Sequence, residues 1–339
     1  MKLGYGLITC QRYPGDPRSD ADLYREALEL SEEAERLGLD SVWLSEHHFV
    51  DDAYMPSLLV TAAAIAARTE RVEIGTGVVL APLHDPLRLA EDAATVDLIS
   101  GGRLILGLGL GWRAEEFEGL GVSPRGLGKR LEEIVETLRQ AWSGGLVTAG
   151  GRDPGVSVTP KPPRPTGAPV WIGGSAEPAV RRAGRIANGF LSSRASPEIF
   201  AVQAAWVREE AERAQRDPSS IVLGANVAVF AWPDAVEGWR LVRDHFHYMR
   251  WKYLDMAGAR ARTGAVPAAP PLTPADEDEL KAGALVGTPE QVAEQILAYR
   301  DVAGDDFHFV ARLDYPGLDP GVQREALRIL AEEVAPLVR

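Results

Sequence analysis

Eight times along this 339-residue chain a short apolar run gives way to a stretch with helical spacing, and no other feature restricts the fold as tightly. The apolar runs cover 3–8, 41–45, 72–80, 103–108, 170–172, 190–192, 221–230 and 307–311. The helical stretches follow at 23–37, 56–67, 86–99, 131–142, 178–187, 197–215, 289–302 and 320–338. In the first of them Leu23, Ala27, Leu30, Ala34 and Leu37 recur at steps of four and three, which places them on one helix face. Gly38 follows where a helix-ending glycine belongs. Apolar strands alternating with helices suit a parallel sheet covered on both faces. Eight such units in order predict a closed (β/α)₈ TIM barrel. The rival is an open doubly wound sheet, but no glycine-rich dinucleotide fingerprint follows the first strand.

Helix starts carry their own punctuation. Asp85-Pro86, Ser196-Pro197, Thr288-Pro289 and Asp319-Pro320 each pair a capping oxygen with proline at the first helical position. The oxygen satisfies free amides, and proline gives up an N–H that would have had no partner there. Thr288 with Gln291 fits a capping box. Two stretches break the alternation. Residues 144–169 read as a long Gly/Pro-rich connection, and 232–285 as an insertion with a helical piece at 236–256. The chain is thus expected to be one barrel domain over 1–339, with a lid-like insertion at 232–285 after the seventh strand. That is the C-terminal rim, where barrel active sites lie.

Composition narrows the function classes. A formal net charge of −13 disfavours nucleic acid, whose phosphates need a basic surface. No apolar run approaches the roughly 20 residues that span a bilayer. Residues 1–9 read as a strand rather than a secretory signal. Cys10 is the only cysteine, which rules out an intrachain disulfide and a multi-cysteine metal site and fits the cytoplasm.

Four segments could carry chemistry. Glu46-His47-His48-Phe49 directly follows the second strand, which puts two histidines at the rim. They suit general acid–base work near neutral pH, or one is a rim histidine bonded to a backbone carbonyl. His84 and His308 could complete a metal set, but the first strand lacks an H-x-H pair, and no metal is expected. Gly75 and Gly77 weaken the third strand unless something approaches its backbone; a flat ring and tight barrel packing explain them equally well. Gly107, Gly109 and Gly111 strip side chains from one face of the fourth strand, which makes room for a ligand. Gly173-Gly174-Ser175-Ala176 leads from strand to helix, where free amides and a hydroxyl would cradle phosphate, unless Ser175 merely caps the helix.

In this order, E-H-H-F at 46–49, G-T-G-V at 75–78 and S-G-G-R at 100–103 open the pattern. The run Gly107 to Gly111 with Glu116-Phe117, and G-T-P-E at 287–290, complete it. The chain resembles the bacterial-luciferase-like family of flavin-dependent oxidoreductases over about 1–230 and 285–311. The resemblance implies reduced FMN at the rim, a homodimer, and a separate flavin reductase as partner. His47 becomes the proton-transfer residue with His48 beside it. Thr76, Gly77 and Val78 support the ring, with a non-prolyl cis peptide at Gly77–Val78. Gly109 lies at the ring as well. Gly173, Gly174, Ser175 and Ala176 form the phosphate turn, with Arg130 reaching the same phosphate, and the insertion is a lid shielding the reaction from water. Leu110 replaces an arginine of the luciferases, so luminescence is not implied.

The expected activity is a two-component monooxygenase that uses reduced FMN and oxygen on a small organic substrate. The same scaffold also serves F420-dependent dehydrogenases and reductases, and the third reading is a flavin-binding protein without turnover.

Overall fold

The computed structural model describes residues 1–151, 155–193, 195–258 and 266–339. In chain order its strands are β1 (Lys2–Ile8), β2 (Ser41–Leu44), β3 (Glu73–Thr76), β4 (Val79–Leu80) and β5 (Leu104–Gly109). They continue as β6 (Val170–Gly173), β7 (Gly189–Ser193), β8 (Val222–Ala231), β9 (Ala284–Gly287) and β10 (His308–Arg312). The strands β1, β2, β3, β5, β6, β7, β8 and β10 pair in that order, and β10 returns to pair with β1. Every pairing of named strands is parallel, so the barrel is closed as the alternation predicts.

The punctuated helices begin where their caps place them. Asp85 accepts from the amides of Leu87 and Arg88 at 2.9 and 3.1 Å, and the helix runs Pro86–Ile99. The Thr288–Gln291 capping box is formed at the head of Pro289–Ala303. Ser19 makes a further capping box with Asp22, which starts the first helix at Asp20 rather than Leu23.

The floor of the barrel is aromatic. Trp43 and Trp171, both buried, meet at 5.5 Å between ring centroids, and His308 stands edge-on to each at 5.3 and 5.6 Å. The Ser41 hydroxyl bonds both the Trp43 indole N–H (2.8 Å) and His308 Nε2 (2.7 Å). Burial holds His308 at about 3, well below the ordinary histidine value, so it is neutral and plays a packing role. A Cβ on Gly75 would overlap the Trp43 indole, and one on Gly4 would stand 3.0 Å from it. Gly75 is therefore explained by packing.

The third strand is not the continuous run read from 72–80. Ile74 pairs with Leu104 and Val79 with Leu108, so five steps on one strand match four on the other. The extra residue makes a bulge at Gly77–Val78, whose peptide is cis. Strand β1 does the same: Tyr5 pairs with Val42 and Ile8 with Leu44, around a cis Gly6–Leu7 peptide.

The insertion is more ordered than its composition suggests. Among the described residues it holds a helix Ala235–Gly258, a second helix Pro274–Ala282, and β9, which pairs with the upper half of β8. Residues 259–265 lie outside the described residues. The first helix is docked through polar groups: buried Lys252 pairs with Asp51 and, at 3.0 Å, with Asp255. Tyr248 donates to buried Asp52 at 3.2 Å. Such buried charges persist only when paired.

Gly75→Ala is expected to cost about 3 kcal/mol in urea unfolding, because the indole has nowhere to move. In the Trp43→Phe background the same change is expected to cost less. An unchanged cost there would refute the indole explanation.

Candidate active site

A cavity of about 410 Å³ opens at the C-terminal ends of the strands. Its walls include His47, Gly77, Val78, Gly109, Gly173, Gly174, Ser175 and Ala176, so eight of the eleven residues singled out from sequence converge. Thr76, His48 and Arg130 do not line it.

His47 sits just past β2 and is buried. Its Nδ1 lies 2.8 Å from Glu116 Oε1, and the same oxygen accepts the amide of His48 at 3.0 Å. Since that oxygen is an acceptor toward the His48 amide, Nδ1 is assigned the hydrogen and Nε2 is the nitrogen left for a ligand. Burial alone lowers the pKa of His47, but the Glu116 hydrogen bond and the charges of Tyr253, Glu116 and Glu46 outweigh it, and the net shift is upward. His48, by contrast, is lowered by burial. Three rings enclose the imidazole: Tyr54 at 4.9 Å, Trp112 at 5.6 Å and Tyr253 at 5.7 Å, all edge-on. The Tyr54 hydroxyl donates to Ser45 at 3.0 Å and meets the Tyr253 hydroxyl at 3.1 Å. Glu46 accepts the Leu80 amide at 2.7 Å, which pins β4 beside the cavity.

The glycines have a different purpose from the one their spacing suggests. A Cβ on Gly107 would strike the Thr76 carbonyl, and Cβ atoms on Gly109 and Gly173 would strike Val78. They admit the β3–β4 bulge, which puts Val78 in the cavity wall beside Gly109 and Gly173. Thr76 stands behind it, its hydroxyl donating to the Gly107 carbonyl and accepting the Gly107 amide, both at 2.7 Å. At the opposite wall the helix Glu177–Ile186 starts with Ala176 as N-cap and no side-chain cap. Ser175 therefore does not cap it; Pro178 brings no N–H and the Ala179 amide bonds the Ala176 carbonyl at 2.9 Å, so only the amides just before Pro178 are left for an anion. Arg130 is half-buried on the helix Leu127–Ser143, and its Nε has no partner among the described residues. Among those residues no three His, Cys, Asp or Glu side chains gather as a metal site.

Residues 1–306 match the family model described as luciferase-like monooxygenase. The chain belongs to the luciferase-like monooxygenase family. Over 174 residues it is 32% identical to the oxygenase component of flavin-dependent trigonelline monooxygenase from Acinetobacter baylyi, covering 50% of this chain and 48% of that one. It spans about half the length of that relative. Over its whole length it is 29% identical to an F420-dependent glucose-6-phosphate dehydrogenase from Rhodococcus erythropolis, covering 98% of it. Among solved structures, the monooxygenase RslO1 from Streptomyces bottropensis superposes with a TM-score of 0.83 at 25% identity, over 99% of both chains.

Sequence reading of this luciferase-like chain left several residues in or behind the cavity wall without a role. Glu116 lies within a quoted motif but on a short helix, Ala114–Gly119, that periodicity does not reveal. Tyr253 comes from the insertion and Asn226 and Arg312 from the inward faces of β8 and β10. Counting inward positions up each strand end could have found the last two.

Because the pKa of His47 is raised above its ordinary 6.5, its pairing with Glu116 adds stability that is complete below that value. The contribution is lost as pH rises through the folded-state pKa. Glu116→Gln is expected to move the NMR titration midpoint of His47 downward and to remove this low-pH contribution. A midpoint that stays put would break the assigned pairing.

Proposed function

We propose that this luciferase-like protein is the oxygenase component of a two-component monooxygenase, working on a small organic substrate with reduced FMN from a separate flavin reductase. When bound, reduced FMN supplies the two electrons that let one atom of oxygen enter the substrate while the other leaves as water. The observation that carries the reading is the buried His47–Glu116 pair, with His47 in the wall of a cavity that runs to a helix N-terminus without a side-chain cap. The fit is good: Val78 offers an apolar shelf, and Gly173, Gly174, Ser175 and Ala176 line the far wall, where the Gly174 amide is turned to the Leu191 carbonyl and the amides between it and Pro178 remain for a phosphate. In this reading Gly77, Val78 and Gly109 hold the ring, and Thr76 fixes the shelf from behind. Arg130 guards the phosphate end, and His48 positions the loop through its amide bond to Glu116.

His47 takes or returns a proton at Nε2, and Glu116 keeps the ring in the one tautomer that can do so. The Glu116 hydrogen bond and the surrounding charges offset burial and shift the ring toward its protonated form. Helix Ala235–Gly258 acts as the lid over a single barrel domain, with Tyr253 closing over His47 and excluding water.

The F420-dependent reading is kept alive by the relative matched along its full length, and there the same histidine would act as acid or base. A binding protein without turnover would have no need of a buried His–Glu pair aimed at a cavity. We assign the protein to the cytoplasm; among the described residues no helix is long and apolar enough to cross a membrane. A homodimer is part of this reading, and Val60, strongly exposed in the first turn of helix Leu58–Arg68, is a candidate contact.

Anaerobic calorimetry with reduced FMN and, separately, reduced F420 tests the cofactor. Tight binding of FMN alone, with substrate-dependent oxygen uptake, is expected; preference for F420 selects the hydride-transfer reading, and binding of neither overturns both. His47→Ala is expected to lower turnover at least about a hundredfold while reduced-flavin affinity holds. Equilibrium sedimentation of the native protein and of Val60→Asp tests the dimer, which the added charge is expected to weaken.

A further inference from the structure

One charge in the cavity has no counterpart. Arg312, the last residue of β10, is buried and lines the wall. A guanidinium is almost never buried without an acidic partner. Among the described residues no carboxylate lies within ion-pair distance of Arg312. Among those residues its one hydrogen bond is to the Tyr253 hydroxyl, at 3.4 Å, its guanidinium carbon lies 5.3 Å from the Tyr253 ring centroid, and its Nε is buried with no hydrogen-bond partner. The nearby acids are committed elsewhere. Glu46, the only carboxylate lining the cavity among the described residues, accepts the Leu80 amide and stands 3.5 Å from His84. Asp314 accepts the Thr9 amide at 3.1 Å, and burial raises it to about 6.

A second orphan stands beside it. Asn226 of β8 is buried, lines the same cavity, and its Oδ1 has no partner. Val310 pairs with Asn226 and Arg312 with Ala228, so the two polar side chains sit one inward step apart on neighbouring strands. Oxygen and nitrogen of an amide are interchangeable in placement, so Asn226 can present its NH₂ to a ligand as readily as its oxygen. Below them lie Val310 and Leu191, buried apolar side chains that offer no solvation. Above them are two aromatic rings, Trp112 and Tyr253, 6.4 Å apart and inclined by 31°. Tyr253 spans the site: its ring is 5.7 Å from His47 and its hydroxyl touches Arg312.

We propose that Arg312 and Asn226 form an anion subsite that binds a carboxylate or phenolate oxygen of the organic substrate, with the substrate's ring held against Trp112 and Tyr253. This rests on the oxidoreductase reading above and names its substrate class: planar aromatic compounds bearing a negative charge. The guanidinium's planar fork matches a carboxylate, and the exchange of an orphaned buried charge for a paired one supplies the selectivity. The competing source of an anionic oxygen is the reduced flavin ring itself, and the experiment separates the two.

The probes are benzoate and its neutral isostere benzamide, titrated calorimetrically into the full-length protein with and without reduced FMN under anaerobic conditions. Benzoate is expected to bind at least about tenfold more tightly than benzamide, since a charged hydrogen bond distinguishes them. Arg312→Gln is expected to erase that preference, Arg312→Lys to retain part of it, and both to keep reduced-FMN affinity within about threefold. Equal binding of benzoate and benzamide by the unaltered protein overturns the proposal, whether or not the variants fold. A loss of reduced-FMN affinity in Arg312→Gln, with the benzoate preference intact, also overturns it and assigns the arginine to the cofactor. Failure of the unaltered protein to bind reduced flavin at all sinks the oxidoreductase reading instead, a result visible in the same titrations.

Discussion

The indole of Trp43 is the fixed object around which the rest of the barrel is arranged. It fills the floor from β2, bonded through its N–H to Ser41; the indole leaves no room for a side chain at Gly75, and the Ser41 hydroxyl with the indole closes the space at Gly4, on the two flanking strands. Both of those strands then bulge one level higher, at Gly6–Leu7 and at Gly77–Val78. The bulges aim Leu7 and Val78 into the cavity. A packing demand at the bottom of the barrel is thereby passed up through two strands and emerges as the shape of the site. Interiors packed like crystals transmit constraint in this way because there is no slack to absorb it.

Above that apolar base the site is held by polar ties between elements far apart in sequence. Glu116 fastens the loop after β2 through both His47 and the amide of His48. Tyr54 and Tyr253 join that loop to the insertion, and Lys252 with Asp51 repeats the link a turn away. Each tie brings a charged or polar group out of water, which is costly unless the partner is well placed. Residues that move independently cannot meet this condition, so helix Ala235–Gly258 and the loop at 46–55 behave as one unit.

The barrel was legible because its signals are local. Prolines with capping oxygens marked four helix starts, and apolar runs marked eight strands. What escaped was what depends on neighbours. The split of the third strand follows from the one-residue mismatch with β5, which no single strand reveals. Helix Pro274–Ala282 buries only Leu280, so it leaves no apolar stripe to detect, and β9 is a four-residue run that continued the insertion on paper. Within the site, the histidines and the glycine turns stood out by residue type. The glycines of β5 were noticed for the right reason, a missing side chain, but the space they leave is taken by β3 and β4. Glu116, Asn226 and Arg312 did not stand out, since a lone acid, amide or guanidinium acquires meaning only from what it faces.

Strand β8 changes partner half-way along. Its lower half pairs with β10 and closes the barrel, while its upper half pairs with β9, and the Trp232 amide bonds the Gly287 carbonyl at 3.0 Å. The segment between Trp232 and β9 therefore leaves and returns through a single zipped neck. One strand thus serves two structures at once: the closed ring below and the segment that leaves and rejoins it above.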